Sequence, residues 1–543
     1  MGNRSGRRKY FRNDGGTPLS TVMKRLLLFV FFFIGAASAV NGFAQTPEMR
    51  LINSAADALG GRERLLSVKT LAIYGYGQQA YQNGGGNITA SPDAPQKWVN
   101  VNGLARTIDL EHGRMHLEQR LVQDFVFAYA RNMNGDTRVN QFLDGDIAFN
   151  MGPDARAVRA PEAAVRARRI EMLGNPISLI RAALEPGAKL TNLRKDGNRQ
   201  VLDFTTAKGD RLTLAFDGET HLPAWISWVG PDNNLGDVTY RTSFVGYQVE
   251  NGVRLPSGYN TMIDFRNVVF NKLYVDKYIV DGPAGNLAAP ESVRAAAPPV
   301  PQRANVEAVP IAKGIWYLRG AGGNSTVFEF EDHLTMFEAY GSEANAKANI
   351  EKARSLVPNK PVTEVIVSHH HFDHSGGLRT AVAEGLTIIT HRGNVDLFKE
   401  MASRPARQYP DALAKNPKPI RIRAVDDHLV LKDNSMEVHV YRVISNSHMA
   451  DGIFAYAPAA RVVAEGDLVD EGWDIVWWGN TYPDSVNYWK LQVDRDLPVH
   501  GNIHTYAEVL DLLRKQTSNA RDLCDHVEKS HLAMQGCPVR NTF

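Results

Sequence analysis

The stretch Val365–Gly377 reads VIVSHHHFDHSGG. Val365, Ile366, Val367 and Ser368 close a near-continuous apolar run, VTEVIVS, that has the length and branched side chains of a buried strand. The run leads directly into His369, His370, His371, Phe372, Asp373 and His374, an H-x-H-x-D-H array. Imidazole and carboxylate are donors that suit zinc and similar divalent ions. His369 and His371 can converge on one ion when the loop curls, and Asp373 and His374 then point at a second. His370 sits between the ligands and is not one of them. Gly376 and Gly377 let the backbone turn sharply into the next helix. An array placed after a buried strand and before a helix is not a solvated histidine-rich loop.

The surrounding pattern is that of α/β layers. IWYLRG, STVFEFED and HLTMFEA read as short strands, and Ser342 caps a helix, EANAKANIEKARSLV. LRTAVAEG is a helix; LTIIT, MEVHVYRV, GIFAYA and RVVAEGD are strands; YAEVLDLLRKQ is a helix.

The array and its setting resemble the metallo-β-lactamase superfamily over about residues 305–515. The resemblance implies a four-layer αβ/βα sandwich with metals at one edge of its sheets. It also implies further ligands at later strand ends. His448 in SNSHMADGI matches the third histidine of the first ion, Asp467 after RVVAEG the bridging carboxylate, and His500 the last histidine. The implied set is therefore His369, His371 and His448 on one ion, Asp373, His374 and His500 on the other, and Asp467 between them. His504 is the rival for the last place, and Glu465 falls two residues too early to be the bridge. Glu338 stands where relatives often carry Asp, as a partner for a ligand histidine. His391 and His439 read as structural.

The resemblance further implies two zinc ions (Zn2+) per chain, with the hydroxide between them attacking a carbonyl substrate: a lactone, ester, thioester or amide. Asp373 would orient that hydroxide and carry its proton. Asp467 stands where true β-lactamases of the superfamily have Cys or Ser, which turns the reading away from lactams. Trp473, Trp477 and Trp478, with Tyr482, Tyr488 and Trp489, either line an apolar pocket beside the metals or pack helix on sheet. Two alternatives within the superfamily are a phosphodiesterase and a mononuclear-iron thiol dioxygenase.

Residues 45–281 show a different texture. A short helix, MRLINSAADALGG, precedes strand-like runs that include KTLAIYGYGQQ, KWVNVNG, ARTIDLEHGRMHLEQR, TMIDFRNVVF and KLYVDKYIV. A helical stretch, EAAVRARRIEMLGNPISLIRAAL, interrupts them. This mainly antiparallel β segment resembles the open half-barrel of periplasmic lipoprotein carriers, on its ALGG helix, its hairpin series and its HLPAWI and NGVRLP turns. That likeness implies either an apolar cavity or a scaffold for the second domain. It also leaves open a carrier or sensor whose hydrolase domain is vestigial. Residues 282–304 belong to a Pro/Ala-rich stretch, Asp281–Pro310, which is expected to be an unpacked linker. The second domain and a helical tail occupy 305–543.

Residues 26–37, LLLFVFFFIGAA, are too short for a comfortable membrane span and fit a signal-peptide core behind Lys24 and Arg25. Residues 23–44 are read as a bacterial-type signal cleaved after Ala44, residues 1–22 as upstream extension, and the periplasm as the destination. No stable membrane span is expected once the signal is removed. An oxidising compartment permits a bridge between Cys524 and Cys537. The 543 residues carry 61 basic and 59 acidic side chains. Residues 1–44 hold seven of the basic and one of the acidic, so the body is slightly acidic and shows no bias toward nucleic acid. The expected partner is a small, apolar molecule.

Overall fold

A computed structural model describes residues 45–81, 89–92, 96–123, 137–300, 304–320, 322–444, 446, 448–476 and 478–529. The extension, the signal segment, Trp477, Cys537 and the side chain of Cys524 lie outside the described residues.

The first half of the chain forms a thirteen-stranded sheet in which every pairing is antiparallel. Its first strand, Thr70–Ala80, pairs with its last, Val269–Val280, at the centre, and the meander runs outward on both sides. The sheet ends at Ala157–Arg159 and Lys189–Asp196, so it remains open, as a half-barrel does. Helices Glu162–Leu173 and Pro176–Ala183 lie against one face, where Leu71, Ile73, Ile177, Ile180, Leu214 and Phe216 are buried together. Asn175 separates the two helices, and its side chain accepts the Ser178 amide as an N-cap ahead of Pro176.

Three readings of this half need correction. KWVNVNG and the start of ARTIDLEHGRMHLEQR belong to one strand, Trp98–Asp109, bulged between Asn102 and Ala105; the second run breaks at a turn before Arg114–Gln123. TMIDFRNVVF turns over at 264–268 between Val253–Ile263 and Val269–Val280. Asp281–Pro310 is not an unpacked linker. It contains the short helix Glu291–Ala295, and its Leu287, Ala289 and Val293 are buried against Phe142 and Phe149. Asp144 accepts the Ala289 amide at 2.9 Å and pairs with Arg114 and Arg294. Glu307–Ala312 already belongs to the next sheet.

The second half holds two sheets. Seven strands run from Glu307–Ala312 to Arg421–Val425, and six from His428–Lys432 to His504–Thr505. Ile315, Tyr317, Phe328, Phe337, Val438, Val440 and Leu497 are buried between them. Helices Glu343–Leu356 and Leu378–Glu384 cover the first sheet; Thr481–Tyr488 and Tyr506–Lys529 cover the second. The result is the expected four-layer α/β sandwich. Leu334–Phe337, Val362–Ile366 and Thr387–His391 are parallel neighbours, as are Val462–Glu465 and Arg495–Pro498. Parallel register brings their carboxyl ends to one edge, where open α/β sheets place their ligands.

The two halves share packing. Leu235, Val238, Ile263 and Phe265 of the first sheet are buried with Leu378, Leu397, Phe398 and Met401 of the second half. The Asp232–Gly236 turn enters closely enough that a Cβ on Gly236 would stand 2.6 Å from the Pro405 carbonyl, and its φ of +67° also favours glycine. Asp237 accepts the amides of Arg407, Gln408 and Tyr409, and Arg404 donates to the Leu235 carbonyl and pairs with Asp264.

Candidate metal centre

Each member of the expected ligand set follows the end of a strand. Val362–Ile366 delivers the loop with His369, His371, Asp373 and His374; the end of Glu437–Arg442 leads to His448; Val462–Glu465 delivers Asp467; Arg495–Pro498 delivers His500. These seven side chains fall into two groups of convergent donor atoms: His369, His371, His448 and Asp467, and Asp373, His374 and His500. Within each group the donor atoms lie within 4.8 Å of one another.

Asp467 joins the groups. Its Oδ2 lies 2.8 Å from His448 Nε2, 3.5 Å from His369 Nε2 and 3.9 Å from His371 Nδ1. Its Oδ1 lies 3.0 Å from His374 Nε2 and 3.2 Å from His500 Nε2. Asp373 Oδ2 completes the second group, at 3.6 Å from His374 and 3.4 Å from His500. Asp467 has φ +62° and Glu338 φ +65°. Non-glycine residues in the left-handed region typically cost about 1–3 kcal/mol and persist where surrounding contacts hold them.

Those contacts are present. Glu338 is fully buried; its Oε1 accepts the Ser368 amide at 2.7 Å and lies 3.6 Å from His374 Nδ1. Ser368 Oγ lies 2.8 Å from His369 Nδ1. Trp478 donates to the Asp467 carbonyl at 3.0 Å and stacks on His448 with centroids 4.4 Å apart. Asn324 Nδ2 donates to the Val499 and Gly501 carbonyls that flank His500. Gly376 and Gly377 lie in the turn before the helix Leu378–Glu384, and both also serve close approach. A Cβ on either would stand 1.9 Å from a carbonyl oxygen, of Gly341 or Ala339.

The other singled-out residues lie outside both groups. His370 is buried next to them without joining either. His504 lies 3.1 Å from Glu471, Glu465 accepts the Leu468 amide, and His391 accepts the Gly393 amide at the start of a short helix. His439 contacts Glu437, Tyr441 and His428. Of the aromatic residues, Trp473 and Trp478 stand by His448. Tyr482 is buried with its hydroxyl on Asp496, Trp489 packs on Tyr441, and Tyr488 is exposed.

Electrostatics divides the two groups. Burial, reinforced by His374 and His371, pushes the His369 imidazole well below its usual range, and burial brings His448 down to about 4. Burial opposes charge on His374 and His500 too. There the carboxylates prevail: Asp467 and Asp373 raise His374 well above its usual value and His500 to about 9. Asp467 is held well below the carboxylate range, against its burial, chiefly by His374 and His500. Without metal His369 and His448 are neutral imidazoles facing a carboxylate, whereas His374 and His500 of the second group carry protons. Neutral imidazole and ionised carboxylate are the forms that bind metal. Among the described residues, no hydrogen bond reaches His369 Nε2 or Asp373 Oδ1, although both atoms are buried. Buried polar atoms left in this way ask for a partner, and five imidazoles with two carboxylates form a donor set suited to two divalent ions.

One residue that touches the site carries no motif, and two more act on its charges. Tyr340 meets His374 and His500 edge to face, with centroids 5.6 and 5.2 Å apart. Tyr81, just past the strand Thr70–Ala80, is raised by burial and by the charges of Asp373 and Asp467. Lys97, just before the strand Trp98–Asp109, is lowered to about 8 by burial and acts on the charge of His448.

Residues 318–492 match the metallo-β-lactamase superfamily. That stretch is similar to a metallo-β-lactamase domain. A stretch of 75 residues is 37% identical to a linear primary-alkylsulfatase of Pseudomonas sp., covering 14% of this chain and 11% of that protein. The chain thus spans about a ninth of the length of that relative. Among solved structures, a metallo-β-lactamase from Pontibacter korlensis aligns with TM-score 0.30 at 15% identity, over 39% of this chain and all of that one. The stereoselective inverting sec-alkylsulfatase Pisa1 from Pseudomonas sp. aligns with TM-score 0.32 at 15% identity, over 43% of this chain and 46% of that one.

Proposed function

We propose that this chain is an exported metal-dependent hydrolase with a two-ion centre, acting on a small carbonyl substrate: a lactone, ester, thioester or amide. The observation that carries the reading is the division of Asp467, with Oδ2 turned to His369, His371 and His448 and Oδ1 to His374 and His500. His369, His371 and His448 would hold one zinc ion, Asp373, His374 and His500 the other, and Asp467 both. A bound pair of such ions supplies Lewis acidity and lowers the pKa of water from 15.7 toward about 7.

The protein's own groups do the rest. Asp373 keeps Oδ2 on His374 and His500, while Oδ1 is left to accept the proton of an attacking water. Tyr340 flanks the site at His500 and Trp473 flanks it at His448. Export to the periplasm rests on the basic and apolar pattern of residues 23–44. Among the described residues no helix is long and apolar enough to cross a membrane.

A sulfate ester is the second reading, favoured by the 75-residue match to an alkylsulfatase. Metal content per chain, measured for wild type and His369→Ala, is the first test. About two zinc ions, falling in the variant, support the centre. Turnover of zinc-loaded chain is then compared on lactone, ester, thioester, amide and alkyl-sulfate panels. Alkyl-sulfate cleavage alone selects the second reading, and binding of hydrophobic probes without turnover of any panel points to a carrier. A chain that takes up no metal sinks both hydrolase readings.

A further inference from the structure

The loop that bears four of the seven proposed ligands is held from outside its own domain. Asn234, in the turn between strands Pro223–Asp232 and Gly236–Glu250 of the first sheet, is buried. Its Nδ2 donates to the Phe372 carbonyl at 2.9 Å and to Ser375 Oγ at 2.9 Å. Ser375 Oγ in turn lies 2.8 Å from the His371 carbonyl and 3.2 Å from that of His370. One amide group therefore ties the Phe372 backbone before Asp373 and the Ser375 side chain after His374 and, through Ser375, the backbone of His371.

The turn itself is firmly set. Asp232 Oδ1 accepts the amides of Asn234 and Leu235, and the Asp237 amide donates to the Pro405 carbonyl at 2.8 Å. Phe265 of the same sheet meets Phe372 with centroids 6.4 Å apart. Outer partners that orient ligands typically change metal affinity by about 10- to 100-fold when removed.

We propose that Asn234 is a positioning residue for the metal-ligand loop, so that the first sheet sets the affinity of a centre whose ligands all lie in the second half. The inference rests on the two-ion reading above, and its test separates the two. Cobalt or zinc affinity is measured by chelator competition for wild type, Asn234→Ala and Arg266→Ala. Arg266 pairs with Glu400 across the same interface and touches none of the proposed ligands. Amide hydrogen exchange over residues 369–377 is measured in parallel on metal-free protein.

The expected result is a loss of about 10-fold or more in affinity for Asn234→Ala, with faster exchange over 369–377 and little change for Arg266→Ala. Unchanged affinity and exchange in Asn234→Ala overturn the proposal. So does an equal loss in Arg266→Ala, which would make general docking of the halves the cause. If wild type binds no metal, the two-ion reading fails, and exchange on the metal-free chains still decides whether Asn234 holds the loop. Should Asn234→Ala fail to fold, Ser375→Ala removes one of its two acceptors and is judged by the same readouts.

Discussion

The indole Nε1 of Trp478 donates to the backbone carbonyl of Asp467 across 3.0 Å. The ring stacks on His448, whose Nε2 lies 2.8 Å from Asp467 Oδ2. A single side chain thus holds the proposed bridging residue by its backbone and backs one of its partners. Because Asp467 sits at φ +62°, that hydrogen bond helps keep an unfavourable backbone in place. Trp478→Phe preserves much of the stack and leaves the buried carbonyl without this donor. The expected cost is about 1–3 kcal/mol in denaturant unfolding of the metal-free chain. A midpoint equal to that of wild type would remove this role.

The two halves of the centre are expected to empty separately. His500 belongs to the second group alone, so His500→Ala should retain about one ion per chain, held by the histidine trio. Asp467→Ala removes the residue common to both groups and should weaken both. Elemental analysis after gel filtration distinguishes these outcomes. Equal loss in the two variants would mean that the ions bind only as a pair.

Acidity should separate them as well. His374 and His500 hold protons at neutral pH, so an ion entering there displaces them, and its affinity should rise with pH until about 9, the value for His500. His369 and His448 are already neutral, which lets the first group keep its ion at lower pH. Titrations at about pH 6 and about pH 9 should show one strong site becoming two.

For the metal-free fold the sign is different. The His500 pKa is raised from 6.5 in the unfolded chain to about 9, so its stabilising contribution is complete below 6.5 and is lost as pH climbs through 9. Asp467 and Asp373, both lowered, contribute above the ordinary carboxylate range and lose that contribution in acid. Thermal midpoints of the metal-free chain should therefore fall on both sides of a plateau. With zinc bound the alkaline fall should shrink, since the ion takes the proton's place.

Leu287→Ala tests the packed segment between the halves. Leu287 is buried with Phe142, Phe149 and Val293. Truncating a buried leucine typically costs about 2–5 kcal/mol, and the lower part of that range is expected in so small a cluster. An unpacked linker would tolerate the change with no shift in unfolding midpoint.

Much of the centre is legible in the sequence because its signals are local. The apolar run Val365–Val367, the histidine array and the Ser342 cap each depend on residues a few positions apart, and strand ends are where parallel sheets deliver ligands. Glu338 was also within reach, because it ends a strand of that set. The packing of Asp281–Pro310 was not. Leu287 and Val293 are too sparse among alanines and prolines to make a periodic pattern, and their partners lie more than a hundred residues away.

Residue types and spacing determined the α/β alternation of the second half, the antiparallel first half and the donor array of His369, His371, Asp373 and His374, whereas His448, Asp467 and His500 were implied by the family resemblance. Only the tertiary structure decided how Asp467 divides its oxygens, which aromatic residues stand by His448, and that Asn234 reaches the loop of His369–His374. A donor's chemistry is written in its side chain, whereas its direction depends on the strand that carries it and on every element packed around that strand. Asn234 in a turn carries no pattern of its own. It acquires a role because the packing of Leu235, Val238 and Phe265 on the second half brings its amide to the Phe372 carbonyl.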